Sequence, residues 1–483
     1  MTLRLDRAGA VFGVTTLAGT GLAAAVAWGH PILAARWDLL GRLAVWAVLW
    51  AVGVAAALRL PRRSAGALIF GAAVLLRVAA LAGPPTTSDD LYRYAWDGQV
   101  QAAHIDPYDA PPDSSRLVAL RHDWLWPTPA ACASLHRDPG CTRINRPSVR
   151  TIYPPVAEVW FAAVYRIGGA AGRHKPWQVA GMVTDLAVVG GLMVGLRRWG
   201  RDVRWVALYA LSPVPVLEFV NNSHIDGLAV ALIVAALALA SPGPAHRERR
   251  RDIGVGLLIG AAALVKLYPA VLLVSVAGIA SARPRRSVVR AALAATALAV
   301  GAYLPHLLAV GWRVIGYLPG YLREEHYGGA RFLLVGALGL PGAVTTALAI
   351  GSIAATAGWV AWRRPPMPFG AAVVLAALFL ATSPVQPWYA TSIVAVAVLA
   401  GVPWLAVVAV AGYPYFFAVI LDHPHAVAMG RASYGTAALA VLVLTWRRRR
   451  QVGGSAEGAV RAGPAGVEQC RARRQSRSIS RVA

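Results

Sequence analysis

Runs of roughly twenty apolar residues, repeated along most of the chain, constrain this sequence more than any other feature. A helix rising 1.5 Å per residue needs about 20 such residues to cross the roughly 30 Å of bilayer hydrocarbon. Clear runs occupy 9–28, 39–58, 65–83, 177–196, 205–220, 226–241, 288–310, 343–362 and 367–383. The whole chain of 483 residues is 57% hydrophobic and 14% charged, against about 45–50% and about 25% in soluble domains. Those values exclude a soluble globular enzyme and predict an all-α polytopic membrane protein. The run 9–28 follows Arg4 and Arg7, lacks a small-residue cleavage motif and is followed at once by a second span, so it reads as a retained helix.

Charge sets the orientation. The formal net charge is +25, carried by 45 Arg and 2 Lys, and most of the arginines fall in short tracts between apolar runs. Tracts at 59–63, 197–204, 247–251, 283–290, 363–364 and 447–450 belong in the cytoplasm by the positive-inside rule. With the arginines spent on these anchors, no aromatic-basic patch remains for nucleic acid. Segment 84–176 holds 10 Arg plus Lys against 9 Asp plus Glu, and this near-neutral balance places it outside. Segment 153–170 is apolar enough to cross, yet the flanking anchors require both of its ends outside, so it is expected to lie along the outer face. The 29-residue stretch 253–281 sits between two basic tracts and reads as a hairpin turning at Lys266 to Pro269. With three further spans from 389–446, the expected total is about 14 spans (12 to 14) with both termini inside. The protein is thus expected in the cytoplasmic membrane, surrounded by membrane lipid.

The most informative stretch is TTSDDLYRYAWDGQVQAAHIDPY, residues 86–108. Ser88 suits a helix cap, Asp89 and Asp90 the first turn, and Asp106-Pro107 the stop. On a 3.6-residue period Asp90, Arg93, Tyr94, Asp97, Gln101 and His104 share one face, with Tyr92, Trp96, Val100 and Ala103 on another. This predicts an amphipathic juxtamembrane helix at the outer surface. Cys132 and Cys141 fall in the same external segment, where a disulfide can form. Cys470 is alone in the tail, and no Cys or His spacing suggests zinc.

The string DLYRYAWDG from Asp90 to Gly98, followed by Pro107-Tyr108 and Tyr153-Pro154-Pro155, resembles the first extracytoplasmic loop of GT-C glycosyltransferases. The resemblance is strongest to actinobacterial polyprenyl-phosphate-mannose-dependent mannosyltransferases. NNSHID (221–226), GAAALVK (260–266) and SPVQPWY (383–389) extend it over roughly residues 65–420. One departure is His104, where relatives tend to carry Gly. The resemblance implies a GT-C-like helix bundle with a large first extracytoplasmic loop and a catalytic acidic residue or pair near the start of that loop. Domains divide accordingly into two N-terminal transmembrane helices (1–60), a membrane catalytic domain (61–446) that includes loop 84–176, and a basic disordered cytoplasmic tail (447–483).

A sugar on polyprenyl phosphate carries its own leaving group, so the site needs a base for the acceptor hydroxyl and cations for the departing phosphate. Asp90 is favoured as the base. Asp89, about 100° round the helix, is a candidate metal ligand for a divalent cation (Mg or Mn) or an orienting partner, and the two roles could be exchanged. Arg93, Lys266, Arg323 and Arg331 are phosphate candidates. Lys266 stands out because lysine in an apolar span costs about 2.5–3.5 kcal/mol, although snorkelling would also account for it. Arg77 and Asp185 read as a structural intramembrane ion pair. His224 and Asp226 suit sugar hydroxyls or capping of the next span, and Tyr94 and Asp97 share the acidic helix's polar face. Trp388 and Tyr389 suit an interfacial belt or stacking on sugar or polyprenyl. The loop 316–329 reads as a hinged lid.

The expected activity is inverting transfer of a sugar, mannose by the resemblance, from a polyprenyl-phosphate donor to an extracytoplasmic glycan or lipoglycan acceptor. The alternative is a transporter or flippase of lipid-linked sugars. It would favour internal repeats and midplane charges, whereas here the ionisable residues concentrate at the outer face.

Overall fold

The computed structural model describes residues 7–30, 32, 34–134, 137–281, 283–326 and 331–461. Arg4, the 327–329 end of the external loop and Cys470 lie outside them. Every regular element among the described residues is helical. Up to Tyr434 they form one compact unit, and from Gly435 the chain forms a second.

Among the described residues eight helices are long and apolar enough to cross a membrane: Arg7–Ala27, Arg36–Ala57, Arg62–Ala80, Lys175–Arg198, Pro284–Glu324, Gly342–Arg363, Pro403–Ile420 and Ala426–Arg447. A ninth is the pair Val203–Ala210 and Pro213–Asn221, bent by 52°. The expected 12 to 14 spans are not confirmed by these lengths, because several apolar runs fold as short or broken helices. Asp226–Leu239, Tyr268–Gly278, Met367–Ala381 and Pro387–Ala400 are each 10–17 residues. The stretch 253–281 is α-helical to Ala263, breaks, and resumes as 3₁₀-helix at Tyr268. Helix Ala426–Arg461 runs beyond residue 447, where the sequence reading begins an unstructured tail. Its last part, RRRRQVGGSAEGAVR, is rich in Arg, which favours helix.

Arginine tracts that the sequence assigns to one side are drawn together. Arg62 lies 3.4 Å from Asp202, Arg204 donates to the Leu60 carbonyl, and Arg290 pairs with Asp252 at 3.2 Å. Between the spans Arg77 and Asp185 pair at 2.7 Å with both side chains fully buried, and Tyr209 donates to the second Asp185 oxygen. A buried charge needs such a partner, and removing one member costs about 3–5 kcal/mol.

The helix Asp90–Ala102 is not the surface helix its amphipathic pattern predicts: every residue from Leu91 to Val100 is buried. The loop that follows folds back over it, so that Leu117, Leu125 and Ile144 pack with Tyr92 and Trp96 in one core. On its other side it meets the helix Pro155–Gly168, and Gly98 allows the approach, since a Cβ there would stand 2.5 Å from the Phe161 carbonyl oxygen. Pro155–Gly168 has 14 residues and is not among the membrane-crossing helices. His104 ends the acidic helix at φ +60°, the left-handed conformation in which glycine would carry no Cβ penalty. Cys132 and Cys141 are joined by a disulfide, with Cα atoms 5.9 Å apart.

This disulfide closes a small loop. Replacing both cysteines with serine should lower stability by about 2.7 kcal/mol on the chain-entropy estimate, seen as a lower thermal midpoint in detergent, with turnover retained by the folded fraction. Complete loss of turnover in folded protein would contradict a purely structural bridge.

Candidate active site

Two asparagines set the position of the acidic loop. The Asn221 amide donates to the Ala80 and Pro84 carbonyls at 3.1 and 3.0 Å, and its oxygen accepts from the Thr86 backbone and hydroxyl. Asn222 accepts from the Thr86 and Thr87 backbone N–H groups. The chain leaving the third span is thereby fastened to the end of the bent span. Ser88 then accepts from the Asp90 N–H at 3.2 Å and opens the acidic helix. The helix Pro155–Gly168 fixes a third segment, because the Val156 and Ala157 N–H groups, orphaned at its first turn, donate to the Leu264 carbonyl. That contact holds the broken hairpin, and Lys266 with it, beside Asp90.

These segments enclose a cavity of about 460 Å³. Asp90, Arg93, Lys266, Arg331, Trp388 and Tyr389 line it, together with Asn145, Arg146, Arg150, Tyr153, Tyr268, Tyr317 and Tyr321. Five of its lining side chains are cationic (Arg93, Arg146, Arg150, Lys266 and Arg331), and two, Asp90 and Glu325, are carboxylates. The wall therefore favours an anion, while its aromatic rings suit an apolar or sugar surface.

Asp90 is partly exposed to the cavity. Its Oδ1 accepts from the Asn145 amide at 2.6 Å, and its Oδ2 stands 3.5 Å from His224 Nδ1. Lys266 lies 3.7 Å from Asp226, donates to the Tyr389 hydroxyl at 3.4 Å, and sits over the rings of Tyr153 and Tyr389 at 4.9 and 5.1 Å. Arg93 is buried, bonded through Nε to Asp97 at 3.0 Å and through Nη1 to the Val149 carbonyl, while its buried Nη2 has no hydrogen-bond partner among the described residues. Arg331 pairs with Glu325 and donates to the Pro384 carbonyl. The segment 316–325 covers one side of the cavity and is tied down by Glu324, which accepts from Arg146 and Tyr317.

Other sequence candidates sit off this wall. Tyr94 stacks on Phe161 at 4.5 Å in the core. Asp97 is buried between Arg93 and the helix Pro155–Gly168. Arg323 is exposed on the helix Leu318–Glu324. His224 and Asp226 are buried one layer behind Asp90 and Lys266. Asp89 is exposed, in the field of Arg137 and Arg143. Among the described residues no three His, Cys, Asp or Glu side chains are grouped to hold a metal ion.

Sequence reasoning missed Asn145, Arg146 and Arg150, which come from an irregular loop without a periodic signal. It also passed over Glu218, which lies behind His224 with 3.3 Å between Oε2 and Nε2. That residue did carry a signal, since an isolated acid within an apolar span marks a candidate functional site by default.

The fold and site define a class, a multi-pass helical membrane protein with a cationic, aromatic-walled cavity built around a carboxylate. Residues 152–384 match the model of glycosyltransferase family 87, which supports a membrane glycosyltransferase of the GT-C type. The matched stretch holds Glu218, His224, Asp226, Lys266, Arg323 and Arg331, and begins beyond Asp89, Asp90 and Arg93. No curated protein and no solved structure matches the chain.

Beneath the cavity, Glu158 accepts from Thr151 at 2.7 Å and from Gln101 at 2.9 Å, with Asp97 beside it. Burial, reinforced by the Asp97 charge, pushes the Glu158 carboxyl well above its ordinary range. The folded state then holds a proton that the unfolded state releases, so the parent loses stability as pH rises above the unfolded value near 4.5. Glu158→Gln removes that dependence: its thermal midpoint should gain on the parent's between pH 5 and pH 8. A constant difference across that range would show that Glu158 is ionised in the folded protein.

Proposed function

We propose that this protein transfers a sugar from a polyprenyl-phosphate donor to a glycan or lipoglycan acceptor on the extracytoplasmic side of the cytoplasmic membrane, by inverting displacement. Mannose is the sugar the resemblance implies. The observation that carries the reading is the cavity in which the Asp90 carboxylate faces a wall of cations. Its charge balance suits a phosphate, and Asp90, the lining carboxylate not paired with an arginine, suits a hydroxyl.

In this mechanism Asp90 accepts the proton of the acceptor hydroxyl as its oxygen attacks the anomeric carbon. The bond between that carbon and the phosphate oxygen breaks, and its electron pair leaves on the phosphate. Lys266, Arg93, Arg150 and Arg331 stabilise the charge that develops there, so no general acid is needed. Asn145 holds the Asp90 carboxylate in register, and Trp388 with Tyr389 supplies a ring surface for the sugar or the first isoprene units. Glu325, the other carboxylate lining the cavity, is paired with Arg331, which leaves Asp90 to act alone by direct displacement, whereas a retaining mechanism requires a second carboxyl about 5–5.5 Å away that flanks the same bond. No observation favours the transporter alternative.

Asp90→Asn keeps the shape and hydrogen bonding of the side chain but removes the proton acceptor. Turnover should fall by roughly 10² to 10⁴, with donor binding little changed because the phosphate is held by cations. Lys266→Met should instead raise the donor KM. A folded Asp89→Asn, Asp90→Asn double variant that transfers sugar at the parent rate would overturn this reading.

A further inference from the structure

Behind Asp90 lies a line of ionisable side chains that the displacement just described does not use. His224 is 2% exposed, and each of its ring nitrogens faces a carboxylate: Nδ1 is 3.5 Å from Asp90 Oδ2, and Nε2 is 3.3 Å from Glu218 Oε2. Among the described residues neither nitrogen makes an aligned hydrogen bond, so the ring is placed between the two carboxylates for proton exchange. Three features hold it there. The ring stacks on Trp388 with centroids 4.3 Å apart and planes 15° from parallel. Ser223, the residue before it, adopts φ +57°, which turns the chain sharply out of the bent span. Glu218 lies on a π-helical turn, Val216–Asn221, a wide turn frequent at functional sites, and its carboxylate accepts from Asn222 at 3.0 Å.

We infer that His224 and Glu218 are positioning residues that act through Asp90, forming a relay that takes up the proton Asp90 removes from the acceptor. The inference rests on Asp90 being the base. The proton passes from the acceptor hydroxyl to Asp90 Oδ2, and then from Oδ2 to His224 Nδ1 as that O–H bond breaks. The Glu218 carboxylate, facing the Nε2–H, balances the imidazolium that results. Asp90 is thereby returned to its ionised form while the products are still bound. The proton goes back by the same route to water once they leave. Asp226, the other acid beside the ring, is engaged by Lys266 at 3.7 Å. Glu218 also borders a second, predominantly apolar cavity of about 210 Å³ lined by Leu43, Trp50, Val394 and Phe417. The relay therefore ends at Glu218, with an apolar region beyond it.

The test is the pH profile of kcat for the full chain in membranes, with a polyprenyl-phosphate sugar as donor. The relay requires neutral His224 at the start of each turnover, so its protonation sets the acid limb of the parent profile. Removing the Glu218 charge makes the imidazolium less favourable. Glu218→Gln should therefore lower kcat by roughly 10- to 100-fold, leave the donor KM within about twofold, and move the acid limb about one pH unit lower. Glu218→Asp, which restores the charge, should return the limb to its parental place, and His224→Gln should abolish that limb. Parental kcat in Glu218→Gln, or a loss of rate with the limb unmoved, would overturn the relay. Asp90→Asn measured alongside separates the two claims. If it is inactive while Glu218→Gln is parental, the relay alone fails. If Asp90→Asn works at the parent rate, the assignment of the base fails and the relay with it.

Discussion

The clamp that Asn221 and Asn222 place on residues 80–87 is the interaction on which the rest of the site depends. Both asparagines are buried, and among the described residues their amide groups bind the Ala80 and Pro84 carbonyls, the Thr86 and Thr87 N–H groups, two threonine hydroxyls and Glu218. Peptide groups at the end of a membrane span must find partners within the protein. Here the asparagine pair meets most of that need for the turn into the acidic helix, with Gln178 and Lys175 donating to the Gly83 carbonyl. The same contact brings Asp90 next to His224. Substituting either asparagine with an apolar residue would leave several buried groups unpaired at about 1–3 kcal/mol each, so the geometry of the carboxylate and the stability of this junction are linked.

A second junction follows the same logic. The helix Pro155–Gly168 begins with a proline, whose missing N–H costs nothing at a first turn, and its next two N–H groups bind the Leu264 carbonyl. A hairpin broken within an apolar run would otherwise leave carbonyls unsatisfied. The break thus gains a partner and delivers Lys266 to the cavity, where Asp226, Tyr153 and Tyr389 surround the ammonium group. Ordinary snorkelling to the surface does not describe this lysine, which is partly buried among rings and a carboxylate.

Much of this architecture was legible because membrane insertion imposes strong rules. Arg77 and Asp185 could be paired from their intramembrane positions alone, and the break in 253–281 followed from Lys266 and Pro269. The periodicity of residues 90–104 correctly grouped Asp90, Arg93 and Asp97, yet it suggested a surface helix. Periodicity reports which residues share a face, and is blind to a fifty-residue loop that folds back to cover it. The expected number of spans is not confirmed for a related reason: apolar runs of ordinary length are bent before Pro213 and broken between Ala263 and Tyr268, and hydropathy alone does not register the bend. Asn145, Arg146 and Arg150 could not be found locally, since only the closure of the loop brings them to Asp90.

The central claim is that a carboxylate facing a cationic cavity catalyses sugar transfer from a lipid phosphate. It is tested most directly by supplying a labelled polyprenyl-phosphate sugar of known anomeric configuration to membranes carrying the protein, with candidate acceptors on the outer side, and determining where the label goes and with what configuration. The account predicts label in the acceptor, with the anomeric centre inverted and free polyprenyl phosphate released in equal amount. Retained configuration, or labelled lipid that crosses the bilayer with its sugar still attached and no transfer to any acceptor, would contradict it.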